Sequence, residues 1–170
     1  MESDNYRKTR AGITLFDQAA FEGMHRAGAV AARILDEIAP HVFPGQTTAI
    51  INAFIEDQVR AAGAVSATIG YKGYQHGSCI SVNHVVCHGI PSDKKLKEGD
   101  ILNVDVTVIV DGWYGDTSRM YVSRNLSPTA PPFLHLTHPS FLPPLAQVKP
   151  PPPFRAIHPT PPPLPSPPPP

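Results

Sequence analysis

Two aspartates, Asp105 and Asp116, are the residues of this sequence best placed to do chemistry together. Asp105 lies in the run 103–110, where four valines alternate with polar residues, as expected of a half-buried strand. Asp111–Gly112 then predicts a two-residue type I′ turn, so a second strand should return antiparallel and carry Asp116. The pattern therefore predicts a β-hairpin with one carboxylate on each strand.

The turn fixes which residues of the hairpin face each other. If Val110 pairs with Trp113, Asp105 lies opposite Ser118 and diagonal to Asp116, with the two Cβ atoms about 7 Å apart on one face. Carboxylates so placed repel each other unless a cation lies between them. The hairpin therefore predicts a site for one divalent ion, or for two ions about 3.5–4 Å apart. The alternative is a pair of solvated carboxylates on an open sheet face.

Further ligands are scarce in this sequence. Carboxylate-rich sites suit Mn, Fe, Co or Zn, but two aspartates cannot complete a coordination sphere. No Asp or Glu follows Asp116, and the later histidines lie in proline-rich sequence: His135, His138 and His158. A structural zinc site is not expected either, because the four residues that could form it lack close C-x₂₋₄-C spacing: Cys79, His84, Cys87 and His88.

His88 is the histidine best placed to act beside the aspartates. It lies in the turn-like sequence CHGIP just before the hairpin. Its ring could face the same cavity and hydrogen-bond a peptide group or a metal-bound water. The alternative is an ordinary loop histidine.

Two amphipathic helices should precede the strands. The first is predicted over Leu15–Ala39 and ends before Pro40. The second begins after an N-cap at Thr47 or Thr48 and ends at Gly63. The predicted stripe of the first helix comprises Met24, Ala27, Ala31, Ile34, Leu35 and Ile38, and that of the second Ile50, Ile51, Phe54, Ile55, Val59 and Ala62.

A loop is predicted over Ser66–Gly77, followed by a strand over Ser78–Val86 and by the hairpin, which ends near Val122. Helices followed by antiparallel strands predict an α+β fold in which two helices pack on one face of the sheet.

Composition divides the chain into a polar extension (1–10), a folded domain (11–122) and a disordered proline-rich tail (123–170). All 14 acidic residues lie at or before Asp116, whereas 19 of the 22 prolines lie in 128–170. Such a tail favours polyproline II and could bind WW or SH3 domains, although any proline-rich run contains such motifs.

Zero net charge and no long apolar segment argue against specific nucleic-acid binding and against a membrane partner. Two cysteines and no signal sequence predict a reducing, cytoplasmic location.

Several motifs in order resemble one family. NHVVCHGIPSD, then GDILNVDVTV and DGWYGDTSRM, are similar to the bacterial type I methionine aminopeptidases, which are metallopeptidases of pita-bread fold. The likeness covers about residues 11–122 and implies the N-terminal half of that fold. It also implies the reaction, removal of the initiator methionine, with nascent polypeptide N-termini as partners, including at the ribosome.

The resemblance assigns roles to individual residues. It implies that Asp105 is a bidentate ligand and Asp116 a bridging ligand of two divalent ions, and that His88 is catalytic and contacts substrate. The implied methionine pocket contains Tyr71, Tyr74 and Cys79, with Thr68 where the family often has another cysteine. The implied carbonyl ligands of a monovalent cation are Asn83 and Val85.

The sequence departs from the family after Val122. The resemblance implies one histidine and two glutamates as further ligands from a C-terminal half, and the proline-rich sequence does not match that half. A reading-frame change or a joining error in the gene model is one explanation. We therefore expect the 170 residues to be inactive by themselves, and the alternatives are a non-catalytic interaction protein or a product that does not fold stably.

Overall fold

A computed structural model describes residues 6–124 of the chain, so the predicted tail from residue 125 onward lies outside the described residues. A short hairpin precedes two helices and four further strands. These elements are β1 (Arg7–Lys8), β2 (Thr14–Leu15), α1 (Gln18–Glu37), α2 (Thr48–Ala61), β3 (Val65–Ser66), β4 (Cys79–Val82), β5 (Ile101–Val110) and β6 (Trp113–Val122).

Both helices begin at side-chain caps. The Asp17 carboxylate accepts a hydrogen bond from the Ala20 backbone N–H at 2.9 Å, and the Thr47 hydroxyl oxygen accepts one from Ile50 N–H at 3.2 Å. Helix α1 therefore starts later than the predicted Leu15, which is a β2 residue paired with β1. Gly63 follows the end of α2 with φ +66°, the left-handed conformation expected after a helix.

The buried face of α1 is lined with small residues near its N-terminal end. Met24 was expected in the core but is 43% exposed, whereas Gly23 is buried against the Trp113 indole. A Cβ at Gly23 would lie 2.3 Å from the indole nitrogen, so only glycine fits there. Ile50 of α2 was likewise expected inside but is 53% exposed. The predicted stripes were therefore wrong at these two positions.

Strand β5 is the centre of the sheet. It pairs antiparallel with β3 and β4 along one edge and with β6 along the other. Its residues Leu102, Val104, Val106 and Val108 point to the helices and are completely buried, whereas Asp105 and the other odd-numbered residues lie on the opposite, open face. The central core comprises Ile34, Leu35, Ile38, Ile51, Ile55, Leu102, Val104, Val106 and Val108.

The strand predicted over Ser78–Val86 is shorter than expected and ends at Val82. Asn83 has φ +55°, which turns the chain away from the sheet. The reason is that β5 begins at Ile101: the last ladder pair is Val82 with Leu102, and Asn83 N–H donates to the Ile101 carbonyl at 2.9 Å. A strand cannot continue along a partner that has ended.

Two helices on one face of an antiparallel sheet confirm the predicted α+β fold class. Helix α1 packs along β5 and β6, so this layer determines which face of the hairpin remains open. Within residues 6–124, no helix is both long enough and apolar enough to cross a membrane.

Candidate metal centre and adjacent cavity

The β5–β6 hairpin has the predicted turn and register. Asp111 and Gly112 both have positive φ, as a type I′ turn requires. The two expected cross-strand pairs are present, Val110 with Trp113 and Asp105 with Ser118, and Thr107 pairs with Asp116 between them. Asp105 and Asp116 therefore lie diagonal to each other on the open face.

The electrostatics of this pair agree with that placement. Burial raises the pKa of Asp105, the negative charge of Asp116 raises it further, and the neighbouring His88 opposes the rise. The Thr107 hydroxyl donates a hydrogen bond to the Asp116 carboxylate at 3.0 Å, which orients one of its oxygens. The chain thus holds two carboxylates close enough to repel each other.

A pH-dependent stability effect follows from the raised pKa of Asp105. The folded state binds this proton more tightly than the unfolded state, so stability falls as pH rises from the ordinary value of 3.8 through the raised one. We expect Asp105→Asn to stabilise the protein at pH 7 in the presence of a chelator, by about 0.5 kcal/mol after solvent screening. The difference should disappear below about pH 3.5. Urea denaturation at both pH values measures it.

The exposed residue Asp93 offers a matched control. Asp93→Asn removes the same charge at an exposed position outside the hairpin and should leave the urea midpoint nearly unchanged at either pH. A metal-free Asp105→Asn variant that is less stable than the parent at pH 7 would contradict the proposed repulsion.

A cavity of about 610 Å³ lies beside the carboxylates. Four of the predicted site residues line it, namely Tyr71, Tyr74, Cys79 and His88, together with Thr68, Lys72, Gly73 and Ile90. Cys79 is the direct cross-strand partner of Asp105, so the cavity and the aspartates share the β4–β5 pair. A second cavity is lined by residues of the exposed start of α1 and by none of the predicted site residues.

His88 is held next to β4 by its neighbour Gly89. Ile80 N–H donates to the Gly89 carbonyl at 2.8 Å, and Gly89 N–H donates to the Ser81 hydroxyl at 3.0 Å. A Cβ at Gly89 would lie 2.2 Å from the Ile80 carbonyl oxygen, so glycine is required for this close approach. His88 itself has φ +52°. The segment that leaves β4 therefore returns alongside it and brings the imidazole to the cavity.

Two cavity residues remain uncharged at neutral pH. Burial raises the pKa of Tyr74, with a further contribution from Cys79, so its hydroxyl keeps its proton and donates to the Ser78 carbonyl at 2.9 Å. The Gly89 carbonyl is the longer alternative acceptor at 3.3 Å. Burial also raises the pKa of the Cys79 thiol, while its hydrogen bond with Tyr74 opposes that rise. Tyr74 and Cys79 thus present neutral groups to the cavity, and such groups suit an apolar ligand.

The two predicted carbonyl ligands of a monovalent cation lie just after β4. Asn83 uses its side chain within the fold: its amide donates to Asp100 at 2.9 Å, and its oxygen accepts from Ile101 N–H at 3.1 Å. Val85 N–H closes a turn with the Val82 carbonyl at 3.2 Å. A cation role for the Asn83 and Val85 carbonyls stays a prediction.

Sequence reasoning missed three residues of the cavity wall, namely Lys72, Gly73 and Ile90. Lys72 lies at the cavity with its ammonium 5.5 Å from the centre of the Tyr71 ring, and Ile90 follows the His88–Gly89 pair. Ile90 lies within the motif NHVVCHGIPSD, whereas Lys72 and Gly73 lie outside the motifs quoted above. The φ of Lys72 is +48°, a left-handed value that the residue type does not predict for lysine.

The donors present fit part of a divalent metal centre. Asp105 and Asp116 supply carboxylate oxygens on one face, as hard and borderline cations require. In the described part of the chain, however, no group of three or more His, Cys, Asp or Glu side chains is arranged to hold a metal ion. The described residues therefore form an incomplete ligand set.

Comparisons with known proteins identify the family of the chain. The sequence model of metallopeptidase family M24 matches residues 22–150. The methionine aminopeptidase of Rickettsia prowazekii is 51% identical over 109 residues, which are 64% of this chain and 42% of that enzyme. Methionine aminopeptidase A of Synechocystis is 47% identical over 126 residues, 74% of this chain and 50% of that enzyme.

A solved structure extends the likeness to the fold. The crystal structure of the Rickettsia prowazekii methionine aminopeptidase matches with a TM-score of 0.76 at 43% identity, over 78% of this chain and 53% of that one. The arrangement is that of the N-terminal half of the pita-bread fold, as predicted, and the chain spans about half the length of the curated relatives it matches. Since the family match covers more than half of the sequence, the chain belongs to metallopeptidase family M24.

Proposed function

We propose that this chain carries one part of a methionine aminopeptidase active site. In this proposal Asp105 and Asp116 are metal ligands, His88 contacts the substrate, and the cavity receives the side chain of an N-terminal methionine. The observation that carries the proposal is that the cavity and the carboxylates adjoin through the Cys79–Asp105 pair.

The chemistry of the cavity wall supports methionine as the occupant. Neutral aromatic and thiol groups, contributed by Tyr74 and Cys79, suit an unbranched thioether, since sulfur packs favourably against aromatic rings. His88 lies at the same cavity, where its imidazole can hydrogen-bond the carbonyl or amide of the bond to be cleaved.

The proposal includes two divalent ions, of Co, Mn, Fe or Zn, held partly by Asp105 and Asp116. When bound, such ions polarise a carbonyl and supply a nucleophilic water at neutral pH. Asn83 and Val85 would offer backbone carbonyls to a monovalent cation. Because no carboxylate follows Asp116 in the sequence, we propose that the 170 residues release no methionine by themselves.

The partners that fit this site are the N-termini of new polypeptides, including those emerging at the ribosome. A cytoplasmic location belongs to the same proposal and is supported by two free thiols, at Cys79 and Cys87, which suit a reducing compartment.

Thermal denaturation with added metal tests the ligand roles. We expect 1 mM Mn²⁺ to raise the melting temperature of the chain by about 2–5 °C, because even weak binding to the folded state alone stabilises it. Asp105→Asn and Asp116→Asn should each remove most of the increase, whereas Asp93→Asn should retain it. An equal increase in all four proteins would exclude these aspartates as ligands.

A further inference from the structure

The wall of the cavity is joined to helix α2 by two buried or half-buried polar side chains. Asn52, which is 6% exposed, accepts hydrogen bonds from both the Ser78 backbone N–H, at 3.0 Å, and the Ser78 hydroxyl, at 2.9 Å. Its own amide donates to Glu56 at 2.7 Å. The Glu56 carboxylate in turn accepts from Gly77 N–H at 2.9 Å. The two helix residues thus bind consecutive residues immediately before Cys79.

We propose that Asn52 and Glu56 form a clamp that positions the cavity wall. We define the pocket segment as residues 66–79, which contain Thr68, Tyr71, Tyr74 and Cys79. The clamp fixes the end of this segment to a rigid helix. Asn52 and Glu56 are therefore positioning residues, which determine the shape of the cavity without touching its ligand.

The clamp continues through the segment itself. The Ser66 hydroxyl donates to the Gly77 carbonyl at 3.0 Å, and the Thr68 hydroxyl donates to the His76 carbonyl at 2.6 Å. The Ser78 carbonyl accepts from the Tyr74 hydroxyl. The two residues that the clamp grips, Gly77 and Ser78, are thus bonded again to Ser66 and Tyr74 of the segment. Thr68 binds the adjacent residue His76, and both Thr68 and Tyr74 line the cavity.

The sterics of Gly77 point to the same role. A Cβ at Gly77 would lie 2.4 Å from the Glu56 Cγ, so the glycine allows the glutamate to lie against the segment. Gly77 does not adopt a left-handed conformation. Position 77 requires glycine because the Glu56 side chain packs against it. Gly77→Ala should therefore release the clamp from the opposite side.

This proposal rests on the proposed function only for the identity of the cavity ligand. The chain contains two cysteines, of which Cys79 is buried at the cavity and Cys87 is exposed. Alkylation of the folded 170-residue chain by iodoacetamide, followed by tandem mass spectrometry that assigns each adduct to Cys79 or to Cys87, reports the opening of the pocket segment at Cys79. The rate at Cys87 is the internal control.

We expect Asn52→Ala, Glu56→Ala and Gly77→Ala each to raise the alkylation rate of Cys79 about tenfold while leaving that of Cys87 unchanged, because each leaves a gripped polar group without its partner. Glu56→Gln keeps the accepting oxygen and should behave like the parent. Adding Gly77→Ala to Glu56→Ala should cause no further increase, since the two changes break one contact.

Val59→Ala on the same helix controls for general destabilisation, because Val59 is buried and makes no contact of the clamp. It should lower the melting temperature while leaving the Cys79 rate near that of the parent. An unchanged Cys79 rate in the three clamp variants, or an equal increase in Val59→Ala, would overturn the clamp.

Protection of Cys79 from alkylation by a Met-Ala-Ser peptide tests the ligand separately. If the peptide does not protect Cys79, the proposed methionine cavity is contradicted and the clamp is not.

Discussion

Gly115→Ala is expected to abolish the folded state. A Cβ at position 115 would lie 2.2 Å from the Ala27 carbonyl oxygen, 2.3 Å from its carbon and 2.6 Å from the Gly28 nitrogen. These are backbone atoms of α1, so no side chain can move aside, and the helix would have to separate from the sheet. We expect a cost of about 4 kcal/mol or more. Circular dichroism during heating should show no cooperative transition.

Gly28→Ala is the matched control for this experiment. Gly28 lies in the same helix, one residue after Ala27, but a Cβ there would meet no atom within 4 Å. Replacing a helix-interior glycine with alanine should stabilise the protein by about 0.5–1 kcal/mol. A Gly115→Ala variant that melts at the temperature of the parent would mean that α1 and β6 are farther apart than described.

The hairpin was fully predictable because its information is local. Asp111–Gly112 fixes the turn, the turn fixes the register, and the register places Asp105 and Asp116 on one face. The helix caps at Thr47 and Gly63 were likewise readable from residue type.

The errors arose where a distant partner decides the outcome. Met24 is more apolar than Gly23, yet Gly23 is buried because Trp113, ninety residues later, packs on the helix there. Strand β4 ends at Val82 because β5 begins at Ile101, although the alternation of its sequence continues. Asn52 reads as an ordinary polar residue of a helix, and only the fold shows that it binds Ser78.

The second large effect concerns catalysis. We expect residues 1–124, joined to the remaining C-terminal part of the Rickettsia prowazekii enzyme, to release methionine from Met-Ala-Ser in the presence of Mn²⁺ or Co²⁺. In this hybrid, Asp105→Asn or Asp116→Asn should lower kcat/KM by about 10³-fold or more, because each removes a carboxylate that we propose holds the metal. Asp93→Asn should leave kcat/KM within about twofold, since surface substitutions away from such features have small effects.

The hybrid also separates the ligand roles from folding. A variant with Asp105→Asn that melts like the parent hybrid but releases no methionine would assign the loss to the site. If both aspartate variants kept the activity of the parent hybrid, the hairpin carboxylates would not be ligands, and the proposed function would fail with them.

Methionine release from Met-Ala-Ser, compared between the 170-residue chain and the hybrid at equal metal concentration, tests the central claim most directly. The claim is that this chain holds Asp105, Asp116 and the methionine cavity in working geometry while its ligand set is incomplete. It predicts turnover by the hybrid and none by the 170-residue chain. Turnover by the 170-residue chain, or a folded, metal-binding hybrid without turnover, would contradict it.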